Sequence, residues 1–379
     1  MKIAVISMIR ESWGGSEELW FAMAKQAIAE GHMVMHMSFD FDQLHPRMAE
    51  LQQMGVLLFQ RPGYYPPGIS PRERAVRMGI NFIRKKIRNP FSVLFSQQPD
   101  VVLYNGTCYS IADEKLLLSS LSTYKGRWFI LGHFNNEQDR GFGQQDRDVI
   151  LSAYDRARRV FFVAERSRNT ARRQLYRDIP NSEVLRNPVN MKDLMPIAFP
   201  TGTTVHWATV GNLLTVHKGQ DILLSVLQAP KWKERDWILN IYGDGADREY
   251  LQELTTYYDL PSKVIFHGKV DDIRKVWQDN QALLMPSHME GMPLAIVEAM
   301  LCGRPCIATD VGDAAAWIED GITGFIADAA TILSLDETME KAWQKKEQWA
   351  AIGLQAHHRA LELYDPAPGK TLLDKLINS

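Results

Sequence analysis

Two acidic residues, Glu290 and Glu298, stand eight positions apart around a glycine and a proline. The apolar run 282–287 before them predicts a short buried strand that ends in a turn, so Glu290 should follow the carboxyl end of a strand. Pro293 suits the first turn of a helix, because its missing N–H would find no partner there. The amides at such a helix N-terminus can bind a diphosphate or a sugar hydroxyl. Glu298, about one turn into the helix, could accept hydrogen bonds from a vicinal diol such as that of a ribose.

The elements that would position these acids come from an alternation of short apolar strands and helical segments along the chain. Such an alternation predicts parallel sheets that are covered on both faces. A break rich in Pro, Gly and Thr at 196–204 divides it, and 379 residues exceed one comfortable core. The predicted strands are 2–7, 32–38, 56–60, 101–104, 127–131, 160–163, 206–210, 237–242, 264–266, 282–285, 305–308 and 324–326, and the predicted helices include 16–30, a segment from about 220, 337–364 and 370–377.

We therefore predict an α/β protein with two doubly wound domains that face a central cleft, in which ligands bind at the carboxyl ends of the strands. The first domain would span 1–198 and the second 199–360. A C-terminal helix within 361–379 would return to the first domain.

The composition is that of an ordinary globular protein, with 45% hydrophobic and 23% charged residues. No run approaches the ~18 apolar residues that a membrane span needs. The first residues predict a core strand rather than a signal peptide. Three cysteines, Cys108, Cys302 and Cys306, are too few for a disulfide framework and lack nearby partners for a zinc site. These observations indicate a cytoplasmic protein.

The net charge of −2 hides an asymmetry between the two halves of the chain. Residues 1–195 carry 27 Lys and Arg against 20 Asp and Glu, whereas residues 196–379 carry 16 against 25. Basic clusters at 72–88 and 156–177 cause much of the difference, which suggests an anionic partner for the first half. An acidic overall balance without interleaved aromatic residues argues against nucleic acid as that partner.

The basic segment 72–88 predicts an amphipathic helix, with an apolar stripe at ~100° per residue and basic residues on another face. Such a helix can lie on an anionic membrane. The alternative is a helix that packs on the first domain and leaves its basic face in solvent. The stripe consists of Val76, Ile80, Ile83 and Ile87, and the basic face consists of Arg74, Arg77, Arg84, Lys85 and Arg88.

Several segments of the second half resemble, in order and spacing, the retaining glycosyltransferases of the GT-B fold, family 4. They are 210–219, 241–245, 264–270, 290–298, 309–312 and 319–324. The resemblance covers most of the chain and is strongest from 205 to 326. It implies two Rossmann-like domains and the transfer of a sugar from a nucleoside diphosphate donor.

The resemblance also implies roles for individual residues. Lys218 matches the lysine that holds the donor diphosphate, whereas Asn212 stands where the family usually has arginine, so one cation is missing. Glu290 would contact the hydroxyls of the transferred sugar, and Glu298 would contact the ribose. The simpler interpretation makes Lys218 part of a helix-start turn and both acids solvated surface residues. The other expected donor contacts are Gly243, Lys269, Val270, Gly291, Met292, Pro293 and Leu294.

In the first half the match is looser. Gly14 and Gly15 follow the first strand and open a helix, so their amides could approach a phosphate or a sugar, although a plain tight turn is the alternative. His133 follows a strand and matches the family's first-domain histidine near the donor sugar. A histidine at such a place is otherwise often a satisfied structural residue.

These expectations together describe a retaining, metal-independent glycosyltransferase that moves a hexose onto a hydroxyl of a glycan or glycolipid, as in polysaccharide or lipopolysaccharide biosynthesis. His133, Lys218 and Glu290 would be its catalytic residues. No cofactor and no metal are expected, and the nucleotide sugar is a substrate. The alternatives are a GT-B protein that binds nucleotide sugars with little catalysis, which Asn212 favours, and a GT-B sugar-nucleotide epimerase. The protein would lie in the cytoplasm, in contact with the inner face of the plasma membrane through 72–88.

Overall fold

The computed structural model describes residues 1–10, 13–66 and 68–379, without the side chains of 84–87. The chain separates into two compact units, Met1–Pro188 with Asp365–Ser379 and Val189–Tyr364. The division between Pro188 and Val189 lies a few residues before the break at 196–204, from which the boundary at 198/199 was predicted.

The first unit is built on a seven-stranded parallel sheet in the order β3-β2-β1-β4-β5-β6-β7. Its central strands are buried on both faces, as their near-continuous apolar sequences predict. The edge strand β7 has no apolar run and was not predicted. The strands are β1 (Lys2–Ser7), β2 (Met33–Phe39), β3 (Leu57–Arg61), β4 (Val101–Gly106), β5 (Arg127–Gly132), β6 (Arg159–Phe162) and β7 (Ser182–Val184).

Seven helices connect these strands among the described residues. The Gly14-Gly15 turn leads through a 3-10 turn, Gly15–Glu17, into the first of them. The helices are α1 (Glu18–Ala29), α2 (Pro46–Gln53), α3 (Pro71–Ile87), α4 (Ser92–Phe95), α5 (Lys115–Thr123), α6 (Gln144–Arg156) and α7 (Glu165–Leu175).

The second unit is built on a six-stranded parallel sheet in the order β10-β9-β8-β11-β12-β13. One side of its core is a cluster of tryptophans around Trp207, which meets Trp232, Trp237 and Trp343. The strands are β8 (Val205–Val210), β9 (Trp237–Tyr242), β10 (Val264–Gly268), β11 (Ala282–Met285), β12 (Cys306–Thr309) and β13 (Gly324–Ala327).

The helix predicted from about 220 is present, whereas the end of the second unit differs from the prediction. The single helix expected at 337–364 is instead two helices joined by a 3-10 turn, Lys346–Gln348. The chain bends there because Trp349 is buried and its Nε1 donates to the Ala342 carbonyl at 3.0 Å. The helices are α8 (Thr215–Lys218), α9 (Gln220–Leu227), α10 (Pro230–Lys233), α11 (Arg248–Tyr257), α12 (Ile273–Asp279), α13 (Leu294–Leu301), α14 (Ala314–Trp317), α15 (Ile332–Gln344) and α16 (Trp349–Leu363).

The last helix, α17 (Pro368–Asn378), belongs to the first unit and packs against α1. Contact with α1 is close, because a Cβ at Gly369 would lie 2.5–2.8 Å from the backbone of Ala22 and Met23. None of the helices in the described parts of the chain is long and apolar enough to span a bilayer.

Both sheets are doubly wound, which confirms the predicted fold class. In each, the order of the strands reverses once, between β1 and β4 in the first unit and between β8 and β11 in the second. Loops diverge above and below the sheet at such a reversal and leave a crevice at the carboxyl ends of the strands. Each unit therefore has one position where its topology favours a ligand.

Candidate functional site

The candidate site of the second unit lies at this reversal between β8 and β11. Lys218 ends α8, which follows β8, and Glu290 lies in the loop that follows β11. Lys218 Nζ contacts Glu290 Oε1 at 2.6 Å, and Ser287 Oγ donates to the same oxygen at 2.8 Å. Both charged side chains keep some exposure, 28% for Lys218 and 10% for Glu290. The structure thus brings together the cation and the acid that are 72 residues apart in sequence.

Backbone contacts lock the two loops together beneath this pair. The amides of His288 and Met289 both donate to the carbonyl of His217, at 2.8 and 3.2 Å. Gly219 has a left-handed backbone with φ of +61°, and a Cβ there would collide with the carbonyl oxygen of Pro286. A glycine is therefore required for both conformation and space, and the Lys-Gly pair places Lys218 beside the loop after β11.

Glycine contacts also join the turns after β8, β9 and β10. Gly243 has φ of +132°, and a Cβ on it would collide with the carbonyl of Gly211. Its amide donates to the carbonyl of Gly268 at 2.7 Å. Lys269 and Val270, the predicted base contacts, follow Gly268 directly and are exposed. The predicted donor contacts at these turns therefore share the carboxyl edge of one sheet.

Asn212 lies in the turn after β8, where the family usually has arginine. It is exposed, and its backbone carbonyl accepts a hydrogen bond from Gln220 Nε2 at 2.9 Å. This bond holds the turn in place, and the uncharged side chain adds no positive charge beside Lys218.

The segment 290–298 forms a loop followed by α13, with one difference from the prediction. Helix α13 begins at Leu294, so Pro293 is the capping residue before it and not a residue of the first turn. Gly291 and Met292 lie in the loop, and the Gly291 carbonyl accepts from the Asp313 amide at 3.2 Å. Gly312, with φ of +54°, lies against the same carbonyl. The loop after β12 thus supports the loop that carries Glu290.

Glu298 lies on α13 and is half-buried. Desolvation by burial raises its carboxyl pKa from 4.5 to about 7. No described residue donates a hydrogen bond to this carboxylate. A partly desolvated acid without protein donors is costly to ionise, and a diol could supply the hydrogen bonds that favour its charged form.

In the first unit, Gly14 precedes the 3-10 turn that opens α1, and Gly15 is its first residue. Gly14 has an extended backbone that any residue could adopt, so its φ gives no reason for a glycine. His133 directly follows β5 and is buried. Burial lowers the pKa of its imidazole from 6.5 to about 3, so it is neutral at physiological pH and is no proton donor of the imidazolium type.

Three residues near these predicted ones carry contacts that sequence reasoning missed. Ser287 binds Glu290, and Asn105 accepts at Oδ1 from the His133 imidazole, with 2.7 Å between Oδ1 and Nε2. Glu17 accepts from Asn105 Nδ2 at 2.7 Å. Ser287 and Asn105 each lie at or just after the end of a strand next to the reversal, a position that could have identified them. The buried Glu17 in the Gly-Gly turn carried no such signal.

The described residues contain no group of three or more His, Cys, Asp or Glu placed to hold a metal ion. The sequence does contain two Asp-x-Asp triplets. In the first, Asp40 accepts from the Tyr64 amide and Asp42 faces Arg77. In the second, Asp146 and Asp148 stand two positions apart on α6, where they point to different faces. Neither triplet forms a cluster of carboxylates.

The basic cluster 156–177 is partly neutralised inside the first unit. Four of its eight arginines pair with acids of the same unit, which reduces the charge that the cluster offers to a partner. The pairs are Arg166 with Glu137, Arg168 with Glu165, Arg172 with Asp178, and Arg177 with Asp155.

Comparison with known proteins agrees with this site. Residues 205–345 match the family model of the glycosyl transferases group 1. An uncharacterized glycosyltransferase of Haemophilus influenzae is 36% identical over 100 residues, which cover 26% of this chain and 28% of that protein. The lipopolysaccharide 1,6-galactosyltransferase of Escherichia coli is 30% identical over 135 residues, which cover 34% of this chain and 36% of that protein. The matches thus span about a third of these relatives' lengths.

The likeness to solved structures extends over the whole chain. Alr3699/HepE of Anabaena, in complex with UDP, aligns over 100% of both chains with a TM-score of 0.76 and 18% identity. The same protein in complex with UDP-glucose aligns with a TM-score of 0.72 over 100% of this chain and 98% of that one. At this identity the likeness shows the fold. The chain therefore has the GT-B fold, and residues 205–345 of its second unit resemble the glycosyl transferases group 1.

Proposed function

We propose that the protein is a retaining, metal-independent glycosyltransferase that moves a hexose from a nucleoside diphosphate sugar to a hydroxyl of a glycan or glycolipid. The observation that supports this most is the contact of Lys218 with Glu290 at the reversal of the second sheet. One cation and one acid at that place match the two needs of the reaction, a diphosphate to neutralise and a sugar to hold.

The reaction breaks the bond between the sugar's anomeric carbon and the diphosphate, and it forms a bond from that carbon to the acceptor oxygen. Negative charge develops on the departing diphosphate. Lys218 and the backbone amides at the start of α13 would stabilise that charge where it appears. The acceptor's proton would pass to an oxygen of the leaving phosphate, on the face from which the phosphate departs.

Glu290 would position the sugar. Its Oε1 already takes the bonds from Lys218 and Ser287, which leaves Oε2 to accept from a sugar hydroxyl. Glu298 would accept from the ribose diol, and Gly243, Lys269 and Val270 would contact the nucleotide from the neighbouring turns. His133, neutral at physiological pH, would take part as a hydrogen-bonding group.

A direct experiment titrates the protein with UDP, GDP and ADP sugars by thermal shift and then assays transfer with the sugar that binds. We expect Lys218→Ala and Glu290→Ala to lose about 10²–10³-fold in kcat while the fold is kept. Lys231→Ala is the matched control, because Lys231 forms an ion pair with Asp336 of similar length in the same unit, 2.7 Å, away from the site.

Retention of configuration, metal independence and the role of Glu290 can each be tested separately. The anomeric configuration of the product, measured by NMR, should equal that of the donor, and an inverted product would refute retention. Activity should survive removal of divalent ions with EDTA, and loss restored by added metal would refute metal independence. Full activity in purified Glu290→Ala would refute its role.

The uncharged Asn212 supports a second candidate, a protein that binds nucleotide sugars with little catalysis. In the same experiment, stabilisation by a nucleotide sugar with no transfer and no donor hydrolysis would favour this candidate. Restoration of turnover in Asn212→Arg would identify the missing cation as its cause.

We also propose that α3 places the protein on the inner face of the plasma membrane, with the rest of the chain in the cytoplasm. Three of the four stripe residues of α3 are largely exposed: Val76, Ile80 and Ile83 are 56%, 46% and 57% exposed, and the side chain of Ile87 lies outside the described ones. Asn81, which is buried and donates to the Tyr65 hydroxyl, lies about 100° or more around the helix from all three. The helix therefore turns a polar residue inward and its apolar stripe outward.

Charge complementarity supports an anionic bilayer as the occupant of this stripe. The segment 72–88 carries seven Lys and Arg and one acid, Glu73, which pairs with Arg77. Arg84 and Lys85, predicted for the basic face, lie outside the described side chains. Apolar side chains flanked by basic ones on one exposed helix are typical of helices that lie in the interface of an anionic membrane.

A further inference from the structure

We propose that Glu17 and Asn105 are positioning residues that hold the His133 imidazole as its Nε2–H tautomer and so leave Nδ1 as a hydrogen-bond acceptor for a carbohydrate hydroxyl. The tautomer follows from contacts within the first unit. The choice of ligand rests on the proposed function.

The contacts of Asn105 fix the direction of its hydrogen bond with His133. Its Nδ2 lies 2.7 Å from Glu17 Oε1 and 3.3 Å from the carbonyl oxygen of Ser16. A backbone carbonyl can only accept, so the amide nitrogen of Asn105 must face this side. The Oδ1 oxygen of Asn105 then faces His133 Nε2, 2.7 Å away. An amide oxygen only accepts, so Nε2 must carry the proton.

Glu17 is held as an acceptor by its other contacts. Ser7 Oγ donates to Oε1 at 3.0 Å and accepts from the Ile9 amide at 3.3 Å, and Trp20 Nε1 donates to Oε2 at 2.9 Å. The acid is 2% exposed. Burial raises the pKa of this carboxyl to about 7, against the lowering effect of the Ser7 and Trp20 bonds. Three donors therefore point at one buried acid, and none of these contacts requires Glu17 to donate.

The other ring nitrogen of His133 is left without a partner. Nδ1 is buried and has no hydrogen bond within the described part of the protein. Burial lowers the pKa of His133 to about 3, so a second proton does not reach Nδ1 near neutral pH. With Nε2 protonated, Nδ1 is a bare acceptor. An unsatisfied buried acceptor is unfavourable, and a hydroxyl donor from a ligand would satisfy it.

The place of this network supports a role in binding. Ser7 ends β1 and Asn105 lies one residue before the end of β4, the two strands at the reversal of the first sheet, and His133 follows the neighbouring β5. Glu17 closes the 3-10 turn that the Gly14-Gly15 pair opens. The network therefore occupies the crevice position that the topology of the first unit creates.

The test is nitrogen-15 NMR on the full-length protein labelled at histidine, with the His133 signals assigned from their absence in His133→Gln. We expect one tautomer between pH 5 and pH 8, with a protonated Nε2 and a bare Nδ1. A protonated Nδ1 in the wild type would overturn the proposal, and this observation needs no variant that folds poorly and no enzymatic activity.

Variants test which residues hold the tautomer. Asn105→Ala should give a mixture of both tautomers at His133, and Glu17→Gln should shift it in the same direction, because a glutamine presents a donor to Asn105 or to Trp20. Asn181→Ala is the control: it removes amide bonds to the carbonyls of Tyr154 and Ala157 in the same unit without touching His133. An unchanged tautomer in folded Asn105→Ala would overturn the positioning role.

A kinetic readout separates this inference from the proposed function. With the nucleotide sugar that supports transfer, Asn105→Ala should lower kcat/KM about tenfold, as expected for one lost hydrogen bond to substrate, while Asn181→Ala stays near wild type. If no nucleotide sugar supports transfer, the proposed function fails while the tautomer result still stands or falls by NMR.

Discussion

At the scale of single residues, the site combines one satisfied acid with one unsatisfied acid. Glu290 has two donors on Oε1, whereas Glu298 has none among the described residues, and its carboxyl pKa is raised to about 7 by burial. The folded protein therefore binds a proton at Glu298 more tightly than the unfolded chain does. Its contribution to the free energy of unfolding falls as the pH rises from about 4.5 to about 7, because ionising the folded form is unfavourable.

We expect Glu298→Gln to raise the thermal midpoint at pH 8 and to leave it nearly unchanged at pH 5, while it weakens binding of the nucleotide sugar. Differential scanning calorimetry at both pH values and titration with the nucleotide sugar measure the two effects. The matched control is Glu253→Gln, an exposed acid on α11, which should change neither. A lower thermal midpoint of Glu298→Gln than of the wild type at pH 8 would show that ionised Glu298 stabilises the ligand-free protein, which would contradict this prediction.

At the scale of elements, short helices and glycine turns place the site, and Gly219 is the most demanding of these positions. Gly219→Ala should destabilise the second unit by about 1–2 kcal/mol through its left-handed backbone. Overpacking against Pro286 should add about 1–3 kcal/mol, and Lys218 should move away from Glu290. Denaturant unfolding and nucleotide-sugar binding both report this change.

Gly31→Ala isolates the backbone part of that effect. Gly31 has φ of +80° with nothing within 4 Å of a Cβ. Its replacement should therefore lower the free energy of unfolding only through the left-handed backbone, without overpacking, and should leave nucleotide-sugar binding intact. Equal losses of stability in the two variants would show that the contact between Gly219 and Pro286 does not hold the loops together.

At the scale of the whole molecule, α3 carries much of the excess positive charge of the first half. Four of the eight arginines at 156–177 are paired within the first unit, whereas α3 carries basic residues beside an exposed apolar stripe. Replacement of Val76, Ile80 and Ile83 by serine should lower binding to vesicles of phosphatidylglycerol and phosphatidylcholine at least tenfold. Full burial of each apolar side chain in the bilayer would contribute ~1.5–3 kcal/mol to the binding free energy, and serine removes that contribution.

Sedimentation of the protein with these vesicles measures the effect, and vesicles of pure phosphatidylcholine test the contribution of charge. The control is a triple serine variant at Leu333, Ile332 and Tyr257, which are also exposed apolar residues but lie in the acidic second half. Equal vesicle binding by both variants would exclude α3 as the membrane contact, and self-association lost only in the α3 variant would assign the stripe to a second copy of the chain.

Much of the fold could be predicted because apolar runs and glycine turns are local signals. Strands such as β1 and β9 are buried on both faces, so their sequences are nearly continuous apolar runs and their bounds follow the prediction. The strand β7 and the bend before Trp349 had no such signal: β7 is a half-buried edge, and the bend results from where one indole packs.

The sequence by itself determined the doubly wound fold class and the identity of the acid, the lysine and the glycines of the second unit, because residue type and spacing express local geometry. Only the tertiary structure decided that Lys218 reaches Glu290, that Glu298 has no donors within the described part of the chain and that α3 turns its apolar stripe outward. It alone connected Glu17, Asn105 and His133, which come from three separate elements. Such contacts depend on which strands are neighbours in the sheet and on how deeply each side chain is buried. Both are set by packing between distant segments, so a short stretch of sequence does not reveal them.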